Sequence, residues 1–221
     1  GIATLIFTFL VLSGIILWLP KRLRYWKQGF AIMFSGKWKR INHDLHNVLG
    51  FYSFILLLIM ALTGLCWSFD WYKKRASKIL NAPVMQRGGG GEVTSSDSTG
   101  NTVLATTIIT AANNALPQKG FMRISMPENG KAVFSVTKNN EDAFNVTATD
   151  KVSIDQYTGK VVKIERFADK PLGQKIAASI KPIHTGEIFG LFSKIIYFIC
   201  CLIATSLPVT GTLIWWNKRK K

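Results

Sequence analysis

Acidic residues are scarce, 12 against 28 lysines and arginines, leaving a formal charge of +16. Charge of either sign is missing altogether from some long stretches, and residues 48–69 contain none. An uncharged run of that length excludes an ordinary soluble globular domain. The basic residues flank apolar runs, as membrane orientation requires, so the positive balance does not imply a nucleic-acid partner. Cysteine is nearly absent. Cys66, Cys200 and Cys201 all sit within apolar runs, and an odd count with none in the polar part excludes a disulfide framework. They read as small packing residues. There is no CxxCH for covalent haem attachment and no Walker A, GxGxxG or HExxH pattern.

What the sequence does contain is three apolar runs. Residues 2–19 would make a helix of about 27 Å, close to the roughly 30 Å hydrocarbon thickness. Trp18 suits the interface and Pro20 ends the run. The second run is 48–69. The third is 195–216, with Lys194 snorkelling at one end, Trp215-Trp216 anchoring the other and Pro208 expected to kink it. The expectation is three spanning helices in contact with the lipid bilayer: 1–20, 46–69 and 183–216.

Orientation follows from the short charged stretches. Residues 21–45 hold Lys21, Arg22, Arg24, Lys27, Lys37, Lys39 and Arg40, with Asp44 at the far end, and 217–221 is a basic tail. By the positive-inside rule both are cytoplasmic. The long mixed block 70–182 then lies outside. This orientation starts the first helix outside the membrane, yet the chain opens Gly-Ile-Ala without methionine or leader. The expectation is a chain lacking an N-terminal helix of the same protein, four spans in all.

In the outer block, 88–100 reads as a flexible linker. Residues 101–116 carry helical spacing that stops before Pro117. Four β-like runs follow at 121–125, 132–137, 143–149 and 160–166, with turn signals at Asn129-Gly130, Asn139-Asn140 and Thr158-Gly159. The expected module is one helix on an antiparallel sheet of three or four strands. It has no histidine and no ligand-spaced acidic cluster, so it reads as a binding or positioning module or a spacer.

Only three histidines occur, all at helix entrances. His43 and His46 precede the second helix and His184 the third. Each could be an interfacial hydrogen-bonding residue, or an axial haem ligand, since imidazole nitrogen binds iron. Gly50, one turn beyond His46, would leave room for a flat macrocycle or for close helix packing. His46 belongs at the cytoplasmic edge and His184 at the outer edge, separated by roughly 30 Å of hydrocarbon. They cannot share one iron. If both ligate, two haems are implied, each needing a second ligand that the absent helix would supply. His43 is an alternative inner ligand. Asp44 would either fix a histidine tautomer or serve as a helix-start acid. Glu187 would tune His184 or simply be solvated. A straight third helix would raise His184 about 15 Å above Lys194, a difficulty the sequence leaves open.

A Ser/Thr-Gly pair followed by tryptophan recurs: Ser13-Gly14 with Trp18, Thr63-Gly64 with Trp67, and Thr210-Gly211 with Trp215. It reads as close packing plus interfacial anchoring, with cavity lining as the alternative.

Four segments in order, Asp44-Leu45-His46-Asn47-Val48-Leu49-Gly50-Phe51-Tyr52, Thr63-Gly64-Leu65-Cys66-Trp67, Ile183-His184-Thr185-Gly186-Glu187-Ile188-Phe189-Gly190 and Pro208-Val209-Thr210-Gly211-Thr212-Leu213-Ile214-Trp215-Trp216, resemble the PepSY-associated transmembrane proteins. These include iron-regulated inner-membrane proteins and ferric-siderophore reductases. Asp155-Gln156-Tyr157-Thr158-Gly159-Lys160 resembles the strand-turn-strand ending of a PepSY module. The resemblance implies a membrane all-α helical bundle with a small extracytoplasmic α+β PepSY-like domain in the bacterial inner membrane. It further implies b-type haem on His46 and His184, two haems in the full protein, and electron transfer to a periplasmic ferric siderophore or chelate. The electron donor would be a separate protein or quinol. The alternative is a non-enzymatic PepSY module that binds peptide or restrains a protease, or an accessory subunit of iron transport.

Overall fold

The computed structural model describes residues 1–19, 26, 29–85, 93–96, 101–141, 143 and 145–219. Pro20, Lys21, Arg22, Arg24, Lys27, most of the 88–100 linker, Lys220 and Lys221 lie outside the described residues. The chain forms two compact units.

The first unit holds α1 (Ile2–Trp18), α2 (Trp38–Ser68), the last residues of α5 (Leu172–Thr185) and nearly all of α6 (Gly190–Arg219). α2 and α6, of 31 and 30 residues, are long and apolar enough to cross a membrane. α1 is more apolar than either but has 17 residues, about 25 Å at 1.5 Å per residue. The burial pattern is inverted relative to a water-soluble bundle. Asn42, Asp44, Ser53 and Ser193 are buried, whereas Phe9, Ile16, Leu17, Ile55, Phe198 and Leu202 are exposed. In water each such apolar side chain would forgo about 1.5–3 kcal/mol of burial. Lipid removes that penalty, and small or polar residues then line the helix contacts.

α1 lies antiparallel along α2. Trp18 stacks on Phe51 with ring centroids 4.1 Å apart, and at the other end Thr4 Oγ1 and Ser68 Oγ share a hydrogen bond of 3.1 Å. α2 and α6 are also antiparallel, each step along one matched by a step back along the other. Thus His46 meets Thr210, Gly50 faces Leu207, and Cys200 Sγ approaches the Ser53 carbonyl at 3.7 Å. α6 continues through Pro208.

The segment 183–216, expected as one helix, is broken. α5 ends at Thr185, the backbone turns through Gly186 (φ 73°) and Gly190 (φ 64°), and α6 starts at Gly190. Ser193 Oγ donates to the Gly186 carbonyl at 2.6 Å and pins the reversal. A Cβ at Gly186 would lie 2.5 Å from Tyr197 Cγ, so position 186 demands glycine both for its φ and for this close approach. The break removes the height difficulty. His184 is thus not on a straight extension of α6: Gly186, two residues on, packs against Tyr197, and His184 itself meets α2 at Thr63 and Gly64.

The second unit comprises Lys74–Pro182 and Glu187–Gly190. Its sheet is an antiparallel meander, β1 (Met122–Ser125), β2 (Phe134–Asn139), β3 (Thr149–Ile154) and β4 (Val161–Glu165), in that spatial order. α4 (Ala105–Ala115) sets Ile108 and Ala112, with Leu116 just beyond its end, against Phe134, Val136, Val152 and Ile154. Spacing of four along α4 and two along the strands explains why these residues share one core. α3 (Asp70–Leu80) and α5 had no counterpart in the sequence expectations. Of the run 143–149, residues 143 and 145–148 are not in a strand, and Phe144 lies outside the described residues. Asn145 Oδ1 accepts from Thr147 N at 3.1 Å and Thr147 Oγ1 at 2.7 Å, an Asx turn that competes with extended pairing. The third strand begins at Thr149 instead. The β3–β4 turn is built on Asp155, whose oxygens accept from the backbone N–H of Ser96, Tyr157 and Thr158 at 2.6, 2.9 and 2.8 Å. Burial opposes ionisation there, but the N–H donors of Ser96 and Thr158, then the Ser96 side chain and Tyr157, outweigh it and hold the carboxyl far below its usual range.

Candidate functional site

His46 and His184 occupy two places of closely similar construction within the first unit. His46, near the start of α2, has Nδ1 2.8 Å from Thr210 Oγ1 on α6. His184, near the end of α5, has Nδ1 2.9 Å from Thr63 Oγ1 on α2. In both, the residue after the threonine is glycine and clears the imidazole. A Cβ at Gly211 would stand 3.2 Å from His46 Cε1, and one at Gly64 3.3 Å from His184 Cε1. α2 therefore supplies a histidine at one end and a Thr-Gly seat at the other. The two seats are 17 residues apart along α2, about 26 Å.

The hydroxyl geometry favours one tautomer. A threonine hydroxyl carries one proton. Thr63 Oγ1 donates it to the Ile59 carbonyl at 2.6 Å, with Met60 O at 3.1 Å. Thr210 Oγ1 does the same with the Ser206 and Leu207 carbonyls, each at 3.1 Å. Carbonyl oxygens only accept, so the hydroxyl proton is committed to the helix backbone. The threonine oxygen is then placed to accept from the imidazole, an arrangement that favours the proton on Nδ1. Nε2 is left with its lone pair, the form that binds a metal. Asn42 steadies the inner seat, its Nδ2 donating to the Thr210 carbonyl at 3.1 Å while itself buried.

Each histidine lines a cavity. The inner one, about 410 Å³, is walled by α1, α2 and α6, including Gly14, Trp18, His46, Gly50 and Phe54. Nothing lies within 4 Å of a Cβ built on Gly14, and on Gly50 one would meet only Leu207 at 3.8 Å. Glycine therefore leaves this cavity open. Trp18 Nε1 is buried beside it without an acceptor among the described residues. The outer cavity, about 460 Å³, is lined by Ala3, Thr4, Met60, Gly64, Trp67 and His184. The Trp67 and His184 ring centroids are 4.9 Å apart at 38°, so Trp67 packs on the imidazole and does not act solely as an interfacial anchor. Both volumes fall in the range of small-ligand sites, roughly 300–1,000 Å³.

These features fit a flat, mostly apolar metal-centred ligand such as haem, which one imidazole per cavity would hold. In the outer cavity the Met60 thioether is a further soft donor atom. Among the described residues no group of three or more His, Cys, Asp or Glu side chains gathers for a bare metal ion. His43 stands apart from the residues lining the inner cavity. Its side chain is 48% exposed, with Nδ1 3.6 Å from Asp44 Oδ1. Asp44 binds Arg40 Nε at 2.9 Å and accepts from Met33 N at 3.3 Å. It ties the preceding loop to α2, while the orienting partner of His46 is Thr210.

Thr63 and Thr210, with their glycines, read in sequence as packing or cavity-lining residues, and their part in orienting the histidines was missed. The available signal was the repetition itself: a hydroxyl and a glycine at one end of each long helix, and a histidine at the other end of α2 and just before α6.

No curated protein matches the chain at a significant level. The family model of the PepSY-associated TM region matches residues 1–218. Its match, the two membrane-capable helices and the α+β unit agree, and the chain belongs to the family of membrane proteins defined by the PepSY-associated transmembrane region.

Proposed function

We propose that the protein is an inner-membrane electron-transfer protein that carries b-type haem and reduces a periplasmic ferric siderophore or related ferric chelate. One observation carries the reading. Two histidines, on opposite ends of one bundle, each hold Nδ1 within 2.9 Å of a threonine hydroxyl, a contact that favours a free Nε2, beside a glycine-cleared cavity. A histidine kept only for interfacial hydrogen bonding needs neither the free Nε2 nor the cleared face. Haem, when bound, supplies the one-electron redox chemistry. The chain's own residues ligate, orient and enclose: His46 and His184 offer Nε2, Thr210 and Thr63 hold the rings, and Gly14, Gly50 and Gly64 keep the space. The spacing of about 26 Å along α2 is what a relay between the two membrane faces requires. The outer α+β unit serves to bind or position the ferric substrate, and the electron donor is a separate protein or quinol.

The test is reduction of a ferric hydroxamate chelate in the presence of a ferrous-specific chromophore. The protein is reconstituted in liposomes, loaded with haem and reduced by a quinol analogue. The proposal expects ferrous iron to appear with the wild type and to fall at least tenfold with His184→Ala. A non-enzymatic PepSY module predicts no rate above protein-free liposomes for either.

A further inference from the structure

Lys138 breaks the pattern of its own strand. β2 turns Phe134, Val136 and Lys138 to one face, all three buried. The first two form the core beneath α4. At the third core-facing position stands an ammonium, with only 7% of the residue exposed. A charge at a position the binary pattern reserves for an apolar side chain marks a functional site more often than a structural one.

Its bonding is incomplete. Nζ donates to Asn113 Oδ1 at 2.8 Å and to the Leu116 carbonyl at 2.9 Å, both neutral acceptors. Among the described residues no carboxylate comes within ion-pairing distance of it. Asp150, its partner across the β2–β3 ladder, has one oxygen engaged by Gln118 Nε2 at 3.0 Å and the other by Phe167 N at 2.7 Å. A buried ammonium held by neutral acceptors alone is costly, and its third proton has no acceptor among the described residues. Capping the end of α4 explains one of its bonds but not a full charge at that depth.

Lys138 lines a cleft of about 590 Å³ between α4 and the edge strand β1. Ile109, Met122 and Ile124 give it apolar walls, and Asn113 and Gln118 add polar groups near the lysine. An apolar slot with one buried cation is complementary to a carboxylate on a short apolar body.

We propose that this cleft binds such a carboxylate, with Lys138 Nζ as its anchor. The ligand is either a free branched-chain acid or the C-terminal carboxylate of a peptide. The inference is independent of the haem reading.

The test is calorimetric titration of the full chain in lipid nanodiscs with two matched pairs: 4-methylvalerate against its amide, and N-acetyl-leucine against N-acetyl-leucinamide. The acid of at least one pair should bind about tenfold or more tightly than its amide, the scale of a charge-assisted hydrogen bond. Lys138→Met should abolish that preference. Discrimination confined to the second pair identifies a peptide terminus as the source, and discrimination in the first a free acid. Should Lys138→Met fail to fold, the acid–amide comparison on the wild type decides alone. Equal affinity for acid and amide in both pairs, no binding of any probe at millimolar concentration, or an intact preference in folded Lys138→Met would overturn the proposal.

Discussion

Replacing Thr210 by valine keeps the branching of the side chain and removes the hydroxyl oxygen that lies 2.8 Å from His46 Nδ1. The methyl that replaces Oγ1 needs more room than a 2.8 Å hydrogen bond gives, so the ring also shifts slightly, and the loss falls on the orientation and tautomer of His46. A net hydrogen bond contributes about 0.5–1.5 kcal/mol, which at 1.4 kcal/mol per decade weakens binding roughly 2- to 12-fold. Loss of a partner that orients a metal-ligating histidine costs about 10- to 100-fold. The two ranges meet near tenfold, and that is the expected loss of haem affinity at the inner site for Thr210→Val. Thr210→Ser should recover most of it, because the hydroxyl returns. A haem-free readout accompanies the titration: long-range ¹H–¹⁵N correlation on ¹⁵N-histidine-labelled protein. His46 should be the Nδ1–H tautomer in the wild type and should populate Nε2–H in the valine variant. Affinity within twofold of wild type for Thr210→Val, or an Nε2–H tautomer in the wild type, would refute the reasoning. The same logic applies to Thr63 and His184.

The glycines after those threonines give a second prediction. Gly211→Ala and Gly64→Ala introduce Cβ atoms 3.2 and 3.3 Å from the respective imidazoles, so each ring must move by a few tenths of an ångström. Each variant should alter the haem spectrum of its own site and leave the other unchanged, measured by low-temperature difference spectroscopy. Gly186→Ala sets a side chain at φ 73° against Tyr197 and should cost about 2 kcal/mol or more, read as a lowered Tm in detergent; an unchanged Tm counts against the folded-back placement of His184. Asp155→Ala leaves buried N–H donors unpaired and should destabilise the sheet by about 1–3 kcal/mol at pH 7. Because the folded pKa of Asp155 is depressed, its contribution is complete above the ordinary carboxylate value near 4 and fades as pH falls through the lower folded value. The gap between wild type and variant should therefore stay constant from about pH 7 to 5 and narrow only in stronger acid. A gap that instead narrows between pH 7 and 5, by circular dichroism melts, would contradict the assignment.

The parts of this molecule legible in its sequence are those that local chemistry decides. Apolar runs mark α2 and α6, and helical spacing before Pro117 marks α4, because each depends only on residues within a few turns. His46 and His184 stand out simply because histidine is so rare here. The orienting threonines do not stand out, since their function depends on the antiparallel register that brings Thr210 to His46 across α2 and α6, a tertiary fact. The break at Gly186 was hidden for a similar reason. Gly186 and Gly190 carry no sign of a reversal in sequence, and only the placement of Tyr197 and Ser193 around Gly186 shows it. At 143–149 alternation favoured a strand, but the Asn145 side chain satisfies the backbone locally and wins. Lys138 looks like a solvated surface lysine by composition, and only the pairing of Lys138 with Met122 and Asp150 reveals that it points with the core row.

The central claim is that the two histidine seats hold haem. The most direct measurement is pyridine haemochrome quantification with reduced-minus-oxidised visible spectra of the protein expressed with haem supplied, beside His46→Ala and His184→Ala. The wild type should show b-type haem and each variant should lose a separate spectral component, His43→Ala being without effect. A protein that takes up no haem, or variants whose spectra match the wild type, would contradict it.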